Sequence, residues 1–205
     1  MIKNIIFDIG RVLIDFDPDT YMKSFGFELE KEKLLRETVF GGSLWRDLDR
    51  GLKPIPQIRE ELVSLVSPEY RDDILSVFDH SSGTIRKREY TIPWIRELQS
   101  GGFQTYYLSN YSLWLIERTR DALDFLPLMR NGLFSYEVGL LKPEPEIFLA
   151  FLERCPGVIP DESIFFDDSV KNVEAACALG FHGIVFESQA QAIQEMKMLI
   201  EKCAL

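Results

Sequence analysis

The chain has 205 residues, 46% of them hydrophobic and 12% aromatic, and its 23 basic and 33 acidic side chains give a formal charge of −10. Such a length fits one large domain, or one domain with a small insertion, and buries enough surface to fold without a metal or disulfide staple. The 15 Phe exclude disorder, and the acidic balance, with no basic cluster longer than Arg86-Lys87-Arg88, argues against a nucleic-acid backbone or an anionic membrane as partner.

Met1 to Phe7 carries one Lys and an apolar run that meets Asp8 at once, too short for a signal-peptide core. Ile5-Ile6-Phe7 reads as a strand buried on both faces and ended by Asp8. From about Asp17 to about Arg88 the pattern is helical, with no buried strand run: Leu34, Leu35, Thr38 and Val39 suit one helix, and Ile55, Ile58, Leu62, Leu65 and Val66 another. Pro54-Ile55-Pro56 and Ser67-Pro68 punctuate them. The expected organisation is therefore a core of residues 1–16 and 89–205, interrupted by a helical insertion over residues 17–88.

Beyond the insertion, amphipathic stretches alternate with apolar runs. Helices are predicted over Ile92–Leu98, Leu113–Leu126, Ile147–Cys155, Val170–Leu179 and Ala190–Ile200. Between them lie Tyr106-Tyr107-Leu108, ended by Ser109-Asn110; Ile164-Phe165-Phe166, ended by Asp167-Asp168; and Ile184-Val185-Phe186. Gly101-Gly102 and Gly180 serve as stops. Buried strands alternating with helices imply an α/β fold, a doubly wound parallel sheet covered on both sides. No apolar run approaches the ~20 residues that span a bilayer, so a soluble, cytoplasmic protein is expected. Cys155, Cys177 and Cys203, odd in number and set in apolar company, read as reduced core thiols.

In an open parallel sheet the ligand crevice lies beyond the carboxyl ends of the strands. Asp8, Ser109-Asn110 and Asp167-Asp168 end three of the apolar runs there, and Lys142, before Pro143-Glu144-Pro145, can reach the same edge. Carboxylates gathered in one place repel one another unless a cation lies between them, and Mg²⁺ prefers such hard oxygen ligands. A carboxylate can attack phosphorus if the negative charge of both partners is offset, here by Mg²⁺ and Lys142.

The segments Phe7-Asp8-Ile9-Gly10-Arg11-Val12-Leu13, Leu108-Ser109-Asn110, Lys142-Pro143-Glu144-Pro145 and Phe166-Asp167-Asp168-Ser169, with Asn172 following, together resemble the four motifs of the haloacid dehalogenase superfamily, in the right order. The resemblance implies a Rossmann-like core with a helical cap inserted between the first two motifs. It also implies Mg²⁺-dependent hydrolysis of a small phosphate monoester through an aspartyl phosphate. Asp8 would be the nucleophile and a metal ligand. Gly10 would give the metal a backbone carbonyl, Asp168 a direct carboxylate, and Asp167 support through water or by orienting Lys142. Ser109 and Asn110 would bind phosphate, and Lys142 would bridge phosphate and nucleophile.

The match departs at Gly10, where most phosphatases of the superfamily carry the aspartate that protonates the leaving oxygen. Side-chain acid/base catalysis is worth ~10²- to 10⁴-fold, so a preference for easily leaving groups, as in sugar-1-phosphates such as glucose-1-phosphate, aryl phosphates or acyl phosphates, is expected. The branch resembled most is that of sugar-1-phosphate phosphatases. Candidates for a substitute acid or base are His80, Asp15 and Asp17; His182 reads as structural. Arg11 either adds charge at the phosphate or points to solvent. Trp45, Tyr21 and Phe25 read as cap core rather than sugar platforms, while Leu44-Trp45, flanked by Gly41-Gly42, is the expected substrate-facing loop. Two other functions fit less well: a dehalogenase, which needs no metal, and a non-catalytic binder of a phosphorylated metabolite. A monomer or weak homodimer is expected.

Overall fold

The computed structural model describes residues 1–203. In chain order the elements are β1 (Asn4–Phe7), β2 (Ile14–Phe16), α1 (Pro18–Lys23), α2 (Leu29–Arg36), α3 (Ser43–Arg50), α4 (Ile55–Ser64), α5 (Arg71–Asp79), β3 (Ile85–Lys87) and α6 (Thr91–Ser100). Then follow β4 (Gln104–Ser109), α7 (Leu113–Arg118), β5 (Asn131–Phe134), α8 (Pro145–Arg154), β6 (Ser163–Asp167), α9 (Val170–Ala178), β7 (His182–Val185) and α10 (Gln189–Cys203).

Five strands form one parallel sheet in the order β5-β4-β1-β6-β7. The wholly apolar run of β1 follows from this central place, because successive side chains leave opposite faces of a pleated strand and both faces are covered. Ile5 and Phe7 pack with Trp94 of α6 and Met196 of α10, whereas Ile6 packs with Phe148 and Phe151 of α8. The chain moves from β1 to β4 and β5 on one side and to β6 and β7 on the other. β1 is thus the topological switch point of the sheet, beyond whose carboxyl end a ligand crevice is expected.

The helices α1–α5 bury an apolar cluster of their own, including Met22, Leu35, Leu48, Ile58, Ile74 and Phe78. Before and after them, β2 and β3 pair antiparallel, Ile14 with Lys87 and Phe16 with Ile85, so the chain leaves and re-enters the core through one two-stranded ribbon. That ribbon has no buried apolar run, since Arg86 and Lys87 are exposed, and hydrophobic patterning does not reveal it.

Three other details differ from expectation. The Leu113–Leu126 stretch is not one helix: α7 ends at Arg118, where the Thr119 hydroxyl donates back to the Leu115 carbonyl at 2.7 Å, and 3₁₀ turns follow. The strand β5 is not among the expected strands, because it opens on Asn131-Gly132 and offers only a two-residue apolar run. Gly132 is required there by its neighbour, as any Cβ would collide with the Tyr107 ring. Cys155 is buried, but Cys177 is exposed and is no core thiol; the side chain of Cys203 lies outside the described residues. No helix among the described residues is long and apolar enough to cross a membrane.

Candidate active site

The register between β1 and β6, Phe7 opposite Phe166, brings Asp8 beside Asp167 at the carboxyl edge of the sheet. Lys142, its side chain only 1% exposed, places Nζ 2.8 Å from Asp8 Oδ1 and 2.6 Å from Asp167 Oδ2. Asn110, one residue past β4, holds this lysine by its backbone. Its Nδ2 donates to the Lys142 carbonyl at 3.0 Å and its Oδ1 accepts from the Lys142 N–H at 2.8 Å. Asn110 is thus a clamp on Lys142 as well as a residue of the cavity wall. Ser109 is buried, with its hydroxyl toward Asp8.

The two carboxylates of the last motif are placed differently. Asp167 is fully buried and accepts from Lys142 Nζ, from Asn172 Nδ2 at 2.9 and 3.0 Å, and from the Ser169 N–H at 2.8 Å. Asp168 faces the cavity, its Oδ2 3.5 Å from Arg11 Nη1. Asp8, Asp167 and Asp168 each offer an oxygen within 4.8 Å of the others. Three carboxylates against one buried ammonium make a donor set that fits a hard divalent cation such as Mg²⁺.

The electrostatics follow from burial. Burial pushes the Asp8 carboxyl up to about 6, with Lys142 opposing and Asp167 adding to the rise. Burial alone would pull the Lys142 ammonium down, but Asp167 and Asp8 outweigh it and hold its pKa above the usual lysine value. Asp168 is raised by burial and by Asp167, against Arg11 and Lys142.

The structure sorts the remaining sequence candidates. Arg11 sits at φ 59°, in the left-handed region that costs an ordinary residue roughly 1–2 kcal/mol. In return its guanidinium lies at the cavity wall, by Asp168 and 5.6 Å from the Phe16 ring centroid. Gly10 lines the cavity, and a Cβ built there meets nothing within 4 Å. Asp15 is paired with Arg88, and Asp17 caps α1 by accepting from the Thr20 N–H at 2.9 Å. His80 ends α5 with Nδ1 3.0 Å from the Ser76 carbonyl oxygen and does not line the cavity. His182 contacts the Asp161 carbonyl oxygen at 3.0 Å. Tyr21 belongs to the helical cluster, and Phe25 packs against it. Leu44 and Trp45 stand not in a loop but in α3: Leu44 is buried, and Trp45 forms a wall of the cavity together with Phe16.

The cavity itself measures about 230 Å³ and lies between the sheet edge and α3. Asp8, Gly10, Asn110, Lys142 and Asp168 form its polar floor, and Phe16, Trp45, Ile85, Tyr111 and Leu115 its apolar wall. A wider groove of about 820 Å³ runs between His182–Ile184 and α10, away from these groups. Among the carboxylates of the cavity, Asp49 of α3 escaped sequence reasoning. It belongs to no motif, and its only signal is its place one turn after Trp45, on the same helical face, just before the helix stops at Gly51.

A parallel sheet whose switch-point strand ends in a buried aspartate, ion-paired with a lysine and flanked by two more aspartates, defines a Rossmann-like enzyme built around a carboxylate site. The chain belongs to the haloacid dehalogenase-like hydrolases, whose family model matches residues 2–180. It is 26% identical over 212 residues to D-ribitol-5-phosphate phosphatase of Bacteroides thetaiotaomicron, covering 98% of this chain and 99% of that one. It is 26% identical to the phosphorylated carbohydrates phosphatase of Thermotoga maritima, covering 98% of this chain and 91% of the other. Among solved structures, the magnesium complex of a HAD family enzyme from Bacteroides thetaiotaomicron superposes with a TM-score of 0.72 at 26% identity, covering 92% of this chain and 94% of that one.

Proposed function

We propose that this hydrolase is a Mg²⁺-dependent phosphatase that cleaves a small phosphate monoester through an aspartyl phosphate on Asp8. The observation that carries this reading is the buried Asp8–Lys142–Asp167 arrangement at the switch point, with Asp168 beside it. A dehalogenase needs no such gathering of carboxylates, which disfavours that alternative.

Each residue has a part. Asp8 presents a carboxylate oxygen to phosphorus, and Lys142 offsets the charge of nucleophile and phosphate together. Asp167 and the Asn110 clamp fix where the ammonium stands. The Ser109 hydroxyl, beside the Asp8 carboxyl, and the cationic Arg11, at the cavity wall, would meet the incoming phosphoryl oxygens. Asp8, Asp168 and the Gly10 carbonyl would hold Mg²⁺, with Asp167 acting behind them through Lys142; bound there, the metal supplies Lewis-acid charge at a phosphoryl oxygen.

The finer reading is a phosphorylated carbohydrate. Support comes from the two carbohydrate-phosphate phosphatases among the relatives and from the Trp45–Phe16 wall, since aromatic faces pack well against the carbon face of a sugar or polyol. The test is phosphate release from p-nitrophenyl phosphate and a sugar-phosphate panel, with Mg²⁺ or chelator, for native protein and Asp8→Asn. Metal-dependent release, lowered about 10⁴- to 10⁶-fold in the variant, is expected; release indifferent to both chelator and Asp8→Asn overturns the proposal.

A further inference from the structure

Ester cleavage at the cavity floor expels an alkoxide that needs a proton, and position 10 has no side chain to provide it. Six titratable residues line the cavity: Asp8, Arg11, Asp49, Tyr111, Lys142 and Asp168. Five are engaged. Asp8 and Lys142 are paired with each other, Arg11 faces Asp168, and the Tyr111 hydroxyl is bonded to Thr119 at 2.9 Å. Asp49 alone has a carboxyl group with no hydrogen-bond or ion-pair partner among the described residues, although the residue is only 8% exposed.

A buried charge without partners is expensive, so such a carboxyl retains its proton. Burial, with the Asp8 carboxylate adding to it, pushes the Asp49 carboxyl up to about 8. Its place in the last turn of α3, where helix dipoles disfavour negative charge, acts in the same direction. The backbone around it is fixed to the core. The Asp49 carbonyl accepts from Ser135 Oγ at 2.5 Å, and Arg50 binds Glu144 and donates to the Gly139 carbonyl at 2.9 Å.

From this placement we infer that Asp49, reaching the cavity from the helical segment, is the proton donor and acceptor of the reaction in place of a side chain at position 10. The inference rests on the phosphatase reading. In the first step an Asp8 oxygen bonds to phosphorus, the ester O–P bond breaks, and the departing oxygen takes its electron pair and the Asp49 proton, leaving as the alcohol. In the second, water attacks phosphorus and gives a proton to the Asp49 carboxylate. The bond from phosphorus to Asp8 breaks, inorganic phosphate leaves, and both carboxyl groups return to their starting states. With an acid in place, ordinary alkyl phosphates become substrates, which reverses the leaving-group preference expected from Gly10 alone.

The experiment compares glycerol phosphate with p-nitrophenyl phosphate, in Mg²⁺, for native protein, Asp49→Asn, and Asp49→Asn combined with Gly10→Asp. Position 10 is chosen because a Cβ there is unobstructed. Asp49→Asn is expected to lose ~10²- to 10⁴-fold on glycerol phosphate, yet to release p-nitrophenol in a burst of one equivalent, as the aspartyl phosphate forms and then hydrolyses slowly. The double variant is expected to regain most of the loss, which a merely structural role of Asp49 would not permit. On the native protein, kcat/KM across a series of phosphate esters is expected to depend only weakly on leaving-group pKa, a measurement that needs no variant to fold. Equal losses on both esters without a burst, no recovery in the double variant, or a steep leaving-group dependence in the native protein would overturn the role of Asp49. If the native protein hydrolyses neither ester, the phosphatase reading falls, and this inference with it.

Discussion

Asp167 and Asp49 are both buried carboxylates beside one small cavity, yet the molecule treats them in opposite ways. Asp167, on the sheet, is met by an ammonium, a side-chain amide and a backbone N–H. Asp49, on a helix packed over the sheet and only 8% exposed, has no side-chain partner among the described residues. Burial by itself therefore does not define a carboxylate's job. A fully bonded one anchors its neighbours, and an unbonded one keeps a proton available.

The largest effect is expected on the sheet side. Lys142→Met leaves Asp8 and Asp167 facing each other without a cation, and a loss of about 3–5 kcal/mol in metal-free unfolding free energy is expected from denaturant titration. An unchanged midpoint would mean that the lysine is not matching these charges. Mg²⁺ should act on the same side. At 100 times its dissociation constant it is expected to add about 2.7 kcal/mol, and Asp168→Asn should weaken that gain while Asp49→Asn leaves it in place, as read by thermal shift.

The helical side responds to pH. Burial raises the Asp49 carboxyl from its ordinary 3.8 to about 8, so the stability it contributes is complete below about pH 4 and is lost as pH rises toward 8. Relative to Asp49→Asn, the native protein should therefore lose up to about 1.4 kcal/mol per pH unit across that window. Parallel stability curves for the two proteins would show that Asp49 is ionised or solvated in the fold.

The sheet and its polar edge were legible because central parallel strands are wholly apolar and end abruptly in the groups they present. Ile5-Ile6-Phe7 before Asp8 and Ile164-Phe165-Phe166 before Asp167 carry that signal in adjacent residues. The parts that were not legible depend on contacts across the chain. The strand β5 contains Gly132 because the Tyr107 ring lies over it, and the β2–β3 ribbon is held by pairing rather than by burial. Asn110 looks like a free amide until Lys142 is folded against it. Asp49 was the hardest to see, since its meaning lies in what it does not touch, and a sequence does not display an absent partner.

The bonds from Ser135 to the Asp49 carbonyl and from Arg50 to Glu144 and Gly139 also tie one end of α3 to the core. They fasten the last turn of α3, whereas its first turn follows the π-helical turn Glu37–Gly41 and the Gly41-Gly42 pair. Any opening that keeps these bonds must pivot about Arg50, swinging Trp45 through the larger arc and leaving Asp49 near the axle. Asp49 would then be the part of α3 that travels least.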